Sequence, residues 1–189
     1  MLRDLIQRNR SYRRFHEEVD ITLETLKELV DLGRLSASAK NFQPLKYVLS
    51  CDRRKNSLIF PNLVWARFLT DWPGPADGER PSGYIVILGD AEVSRFWDYD
   101  AGIAAQSMLL GATEKGLGGC MIANIDREGL RNALEIPPRF EILLVLALGK
   151  PKEKVVIETV GPGGDTRYWR DGEEVHHVPK RPLDEIIIV

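Results

Sequence analysis

The chain has 189 residues, 43% of them hydrophobic, with 26 Lys and Arg against 28 Asp and Glu for a formal charge of −2. That length and apolar content suit a single domain over 1–189 with a sizeable core, and the small net charge supplies no global basic field for nucleic acid. Two isolated cysteines, Cys51 and Cys120, are too few for a disulfide framework or a zinc site. No apolar run approaches the roughly 20 residues of a membrane span, and no uninterrupted secretory core opens the chain, so a soluble cytoplasmic protein is expected.

In chain order, a short amphipathic helix with Leu2, Leu5 and Ile6 leads into Arg10-Ser11-Tyr12-Arg13-Arg14-Phe15. His16, beside Glu17 and Glu18, reads as a solvated cluster at a helix entry. Thr22 can cap a helix carrying Leu23, Leu26, Leu29 and Val30 on one face. The polar turn Ser38-Ala39-Lys40-Asn41-Phe42-Gln43-Pro44 follows, and Tyr47 to Ser50 reads as a strand. Residues 57–70 read as a helix with Pro61 near its start. Residues 71–82 form a long loop rich in proline, glycine and charge, of the kind that often covers a site. Tyr84 to Leu88 is a short apolar strand.

Asp98 to Lys115 is the most apolar helix; with almost no polar face it hints at an oligomer interface. Gly116-Leu117-Gly118-Gly119 closes it before Cys120 to Ala123. Asp126 can cap a helix through Leu134, and Glu141 to Gly149 is apolar at consecutive positions, as in a strand covered on both faces. After a flexible turn at Gly161 to Asp165, Thr166 to Arg170 and Val175 to Val178 read as strands around an Asp171-Gly172 hairpin signal. The final Ile186 to Val189 run reads as a strand that can join a sheet, including that of a partner subunit.

Several chemistries find no support. Adjacent His176 and His177 point to opposite faces of a strand and cannot share a metal. There is no Gly-x-Ser-x-Gly, and Cys120 lies in an apolar stretch where cysteine is usually a small hydrophobe. The Gly116 to Gly119 run follows a helix, whereas a dinucleotide fingerprint follows a strand. What remains is phosphate chemistry. Arginine forks around one serine hydroxyl suit a dianionic phosphate, and the amide-bearing turn suits a polar heterocycle. Five arginines against Asp4 in the first fifteen residues leave a nucleic-acid arm as an outside alternative.

The order and spacing of these features resemble the nitroreductase family of flavin enzymes. The likeness rests on Arg10-Ser11-x-Arg13, Ser38-Ala39-x-Asn41-x-Gln43-Pro44, Asp100-Ala101-Gly102 opening the long helix and Gly116-Leu117-Gly118 closing it. Pro137 and a strand ending Ala147-Leu148-Gly149-Lys150-Pro151 complete it. The resemblance implies an α+β, three-layer fold with a central, mainly antiparallel sheet flanked by helices, in a homodimer with FMN at the interface. It implies that Arg10, Ser11 and Arg13 meet the FMN phosphate, and that Ser38, Asn41 and Gln43 meet the ring and ribityl chain. The backbone of Met121, Ile122 and Ala123 would meet the N5/O4 edge, and Lys180 and Arg181 would close over the phosphate. The implied activity moves hydride from NAD(P)H through the flavin to a nitroaromatic, quinone or similar acceptor by a ping-pong cycle, with no catalytic side chain and no metal. Alternatives within the fold are a flavin-dependent dehalogenase, a flavin-cleaving enzyme and a non-catalytic FMN-binding dimer. Leu45 departs from the aromatic often found after the proline, Arg14 is either a phosphate ligand or a surface charge, and the 71–82 loop and 166–178 hairpin have no family role.

Overall fold

The computed structural model describes residues 1–188. A five-stranded antiparallel sheet forms its centre, built on the long strand β5 (Phe140–Pro151). One edge of β5 pairs with β3 (Gly83–Asp90), which pairs in turn with β2 (Leu45–Ser50). The other edge takes β4 (Gly118–Ile122), from Gly118↔Gly149 to Ile122↔Val145, and β1 (Phe15–His16) joins further along at Lys150 and Pro151.

Alternation along the strands splits the core into two layers. Tyr84, Val86, Leu88, Val145 and Ala147 pack with Ile59 of α3 (Arg53–Ile59) and Leu130 of α5 (Arg127–Ala133). Ile85, Ile87, Leu146 and Leu148 pack instead under α2 (Leu23–Arg34) and α4 (Asp98–Glu114), against Leu26, Leu29, Ala104, Ala105 and Met108. Helices cover both faces of the sheet, so the architecture is the expected α+β arrangement. The continuous apolar run of β5 follows from that double cover: Val145 and Leu146 face opposite layers and both are fully buried.

Local chemistry explains the element ends. The Thr22 hydroxyl accepts from Thr25 N–H at the start of α2, and the Asp126 carboxylate accepts from Gly129 N–H at the start of α5. Gly116, at φ +72°, supplies the left-handed residue after α4. Gly119 is glycine for space: a Cβ there would sit 2.3 Å from the Ala147 carbonyl oxygen.

Four expectations are corrected. The helix placed at 57–70 is α3, which starts earlier because the Asp52 carboxylate caps it through Lys55 N–H. It ends at a 3₁₀ turn, Phe60–Asn62, where Pro61 has no N–H to continue the ladder. His16 stands on β1 opposite Lys150, not at a helix entry. The hairpin has a five-residue loop rather than a two-residue turn. Asp171 accepts from Glu173 N–H and Val175 N–H there, holding the loop open between β7 (Trp169–Arg170) and β8 (His176–Lys180). The isoleucines at the end form no strand: Pro182 begins a helical turn, α6 (Leu183–Ile186), pinned by an Arg181–Glu185 ion pair, and Ile187 and Ile188 extend beyond it. Val189 lies outside the described residues. One element has no forecast in the sequence: β6 (Val155–Thr159) pairs in parallel with β8, so β6, β8 and β7 make a small second sheet. No helix among the described residues is long and apolar enough to cross a membrane.

Candidate functional site

The N-terminal arginines are placed by backbone pairing. After α1 (Leu2–Arg8) the chain runs beside β4: Ser11 bridges Gly119, and Tyr12 N–H donates to the Gly119 carbonyl at 3.0 Å. The buried Glu153 carboxylate accepts from the backbone N–H of Arg13 and of Arg14, and from Arg170 Nη2 at 3.1 Å. This one side chain, just past β5, fixes the backbone from which the arginines project.

The arginines then separate by role. Arg14 forms a two-pronged pair with Glu79, Nε and Nη2 each 2.7 Å from a carboxylate oxygen, and a further pair with Glu174. The Arg14 bonds hold the Glu79 carboxyl down at about 2, and the same bonds raise Arg14 itself. Arg14 is therefore spent on joining the 71–82 loop and the hairpin to the body.

Arg10 and Arg13 instead line a cavity of about 320 Å³ with Ser11, Met121, Gln106 and Lys180, and no carboxylate is among its lining residues. Arg10 Nε is buried without a partner, and burial lowers the pKa of that guanidinium. Among the described residues, the Ser11 hydroxyl has no partner. Arg13 Nη1 donates to the Ser11 carbonyl and lies 3.2 Å from His176 Nε2; its guanidinium carbon sits 4.8 Å from the centre of the Tyr168 ring. A guanidinium can only donate, so His176 Nε2 accepts and the proton of the neutral ring is on Nδ1. Burial first, and then Arg13 and Arg170, push the His176 pKa down to about 4. Nδ1 is buried with no partner of its own.

Strand alternation sets the far wall. His176, Val178 and Lys180 of β8 face the cavity, while His177 faces away, stacks on Trp169 at 4.0 Å and bonds to Glu158 and Asp171. Of the other expected residues on this side, Ile122 is buried in the sheet core and Ala123 is exposed just past β4, its carbonyl accepting from Arg127 Nη2. Arg181 is paired with Glu185 and is not among the lining residues.

The Ser38 to Pro44 turn lies elsewhere. Ser38 and Gln43 border a second cavity of about 360 Å³ with Asp100 and Ala104 of α4. Ser38 Oγ donates to Asp100 at 2.5 Å, Ala39 N–H donates to the other carboxylate oxygen, and Gln43 N–H donates back to Ser38 Oγ. Lys40, Asn41 and Gln43 all have φ between 51° and 56°, an unusual concentration of left-handed residues. Asn41 is exposed at the tip. On α4, Ala104 faces this cavity and Gln106 the other; two residues turn a helix by about 200°, so the cavities flank the helix on opposite sides. Within one chain the two groups of residues are not brought together.

Sequence reasoning passed over Tyr168, His176, Gln106 and Glu153. Period-two alternation from Lys180 back through Val178 puts His176 on one face of the strand expected there, but nothing local says that this face meets Arg13. Nothing local marks Glu153 as the acceptor for a segment 140 residues away.

An antiparallel sheet between helix layers, with a basic, carboxylate-free cavity beside the segment that follows α1, puts the chain in a layered α+β class of fold. Comparison with known proteins makes the class specific: the model of the nitroreductase family matches residues 6–73 and 79–150, and the chain belongs to that family. A protein of Archaeoglobus fulgidus named as a candidate NADH dehydrogenase/NAD(P)H nitroreductase is 25% identical over 149 residues, covering 75% of this chain and 80% of its own. The nitroreductase family protein of Streptococcus pneumoniae TIGR4 shares the fold over 100% of both chains, with a TM-score of 0.72 at 19% identity. The NADPH:FMN oxidoreductase of Vibrio harveyi also shares it, with a TM-score of 0.62 at 24% identity, over 79% of this chain and 68% of that one.

Proposed function

We propose that the protein is an FMN-dependent oxidoreductase that takes hydride from NAD(P)H and passes it to a nitroaromatic, quinone or similar conjugated acceptor in a ping-pong cycle. The observation that carries this reading is the cavity where Arg10, Arg13 and Lys180 meet without a carboxylate, with Arg10 Nε buried and unpartnered. A buried donor left unmade costs about 1–3 kcal/mol, and a phosphate oxygen would relieve it. Each charge-assisted bond to the phosphate is worth about 1.5–3 kcal/mol.

In this proposal Arg10, Ser11, Arg13 and Lys180 hold the phosphate, with Arg181 joining if it leaves Glu185. Met121, Ile122 and Ala123 offer the end of β4 to the flavin edge. The turn of Ser38, Asn41 and Gln43 comes from a second copy, because in one chain α4 separates it from the phosphate cavity. The homodimer is supported by the open flank of α4, where Tyr99 is 84% and Ile103 42% exposed, beside Phe96 at 68%. When bound, the flavin supplies the hydride chemistry; the chain's residues bind it, orient it and aim backbone donors where charge gathers.

The test is the absorption spectrum and NAD(P)H oxidation of the purified protein supplied with FMN. A flavin spectrum bleached by NADH or NADPH and restored by a quinone is expected. A protein that takes up no FMN and oxidises neither nicotinamide rejects the assignment; FMN uptake without turnover selects the non-catalytic dimer.

A further inference from the structure

The small sheet of β6, β8 and β7 lies beyond residue 150, outside the family match, yet it touches the phosphate cavity through Arg13. Both N–H groups of Arg13 Nη1 are committed, one to the Ser11 carbonyl and one to His176 Nε2. Among the described residues Nε and Nη2 of Arg13 have no partner. They form the planar two-donor edge of the guanidinium, the edge that fits two oxygens of one phosphate. The Tyr168 ring covers one guanidinium face, and is itself held by Phe68, whose ring lies 5.1 Å away and whose N–H donates to the Tyr168 hydroxyl.

We propose that His176 and Tyr168 are positioning residues: together they hold Arg13 so that its free Nε/Nη2 edge faces the phosphate of the bound ligand. The inference rests on the FMN reading of the cavity. Free in solution, an arginine side chain must freeze several rotatable bonds to present its fork, and an acceptor and an aromatic face supplied by the chain freeze them in advance. The device requires His176 to be neutral, since a protonated ring has no lone pair to offer Nη1. The C-terminal sheet thereby tunes a site whose other parts sit in the first 150 residues.

The experiment titrates purified protein with FMN and with riboflavin, which lacks the phosphate, and reads quenching of flavin fluorescence. The preference for FMN over riboflavin isolates the phosphate grip. Arg13→Gln is expected to lower that preference by at least about 10- to 100-fold, the value of one charge-assisted bond where the Nε/Nη2 edge offers two. His176→Phe, which keeps a ring but no acceptor, should lower it about fivefold, and His176→Gln, whose amide oxygen can accept from Nη1, should restore it to within about twofold. In an Arg13→Gln background, His176→Phe should change nothing further, because both act through one group. A His176→Phe variant that weakens FMN and riboflavin equally, or whose effect adds in full to that of Arg13→Gln, overturns the positioning role. If Arg10→Ala and Arg13→Gln themselves leave the preference intact, the phosphate reading of the cavity fails, and the positioning role with it.

Discussion

The two cavities that flank α4 are opposites in how their polar groups are spent. On the Ser38 side the donors of the turn have found acceptors within the chain: the hydroxyl and Ala39 N–H go to Asp100, and Gln43 N–H goes to the hydroxyl. On the Arg10 side positive charge gathers without an acid, and buried donors stay open at Arg10 Nε and His176 Nδ1. Satisfied networks hold a backbone in shape, whereas unsatisfied buried donors weaken the fold until a ligand arrives. The turn is thus braced from within, whereas the arginine cavity keeps donors that the chain itself does not use. This division predicts that mutations on the two sides damage different properties.

The largest effect belongs to the turn. Asp100 is buried and accepts two hydrogen bonds while Lys40, Asn41 and Gln43 hold left-handed conformations. Asp100→Ala leaves Ser38 Oγ and Ala39 N–H without acceptors, so chemical unfolding should show a loss of about 2–4 kcal/mol. Arg10→Ala is the counterpart. Its guanidinium Nε has no protein partner, and the bond that is lost, from Nη2 to the Ile6 carbonyl at the end of α1, is exposed and local, so stability should fall by no more than about 1 kcal/mol, while FMN affinity falls by about 10- to 100-fold. Equal stability losses from the two substitutions would erase the contrast between the cavities.

Arg14→Ala sharpens the same comparison within four residues of Arg10. Because Arg14 is committed to Glu79 and Glu174, its removal should cost about 1 kcal/mol of stability, with Lys152 still 3.0 Å from Glu79 to moderate the loss. Fluorescence titration should find FMN affinity unchanged. An affinity loss like that of Arg10→Ala would mean that Arg14 leaves its carboxylates to reach the ligand.

The sequence carried much of the fold and part of the site because both are written in local patterns. Leu23, Leu26 and Leu29 announce α2 by their spacing, and the apolar runs of β3 and β5 announce a sheet covered on both faces. The grouping of Arg10, Ser11 and Arg13 is legible because they are neighbours in the chain. What separates Arg14 from them is not local: its partners Glu79 and Glu174 stand 65 and 160 residues away. The helix expected at 57–70 failed for a related reason. Apolar spacing there reports burial against β3 and α5, while the Asp52 cap and Pro61 decide where the helix runs. β6 was missed because its mixed residues are stabilised by pairing with β8, a partner twenty residues on. Tyr168 and His176 acquire a role only once that second sheet exists.

The smallest effect concerns the neighbours His176 and His177, which strand alternation sends into opposite environments. His177, bonded to Asp171 and then Glu158, has a pKa raised above its ordinary value near 6.5, so its contribution to stability is complete below that value and is lost as pH rises through the raised one. His176 is the reverse. Its pKa in the fold is about 4, so the unfolded chain takes up a proton more readily, and stability is lost as pH falls from about 6.5 towards 4. Urea unfolding followed across pH should therefore show two separable slopes. His176→Gln should flatten the acid side, and His177→Gln should flatten the side above pH 6.5. The same acid range should loosen the grip on FMN phosphate, since a protonated His176 can no longer accept from Arg13, and His176→Gln should abolish that part of the pH dependence. If the two substitutions flatten the same limb of the profile, the imidazoles share one environment and the alternation of β8 is wrong.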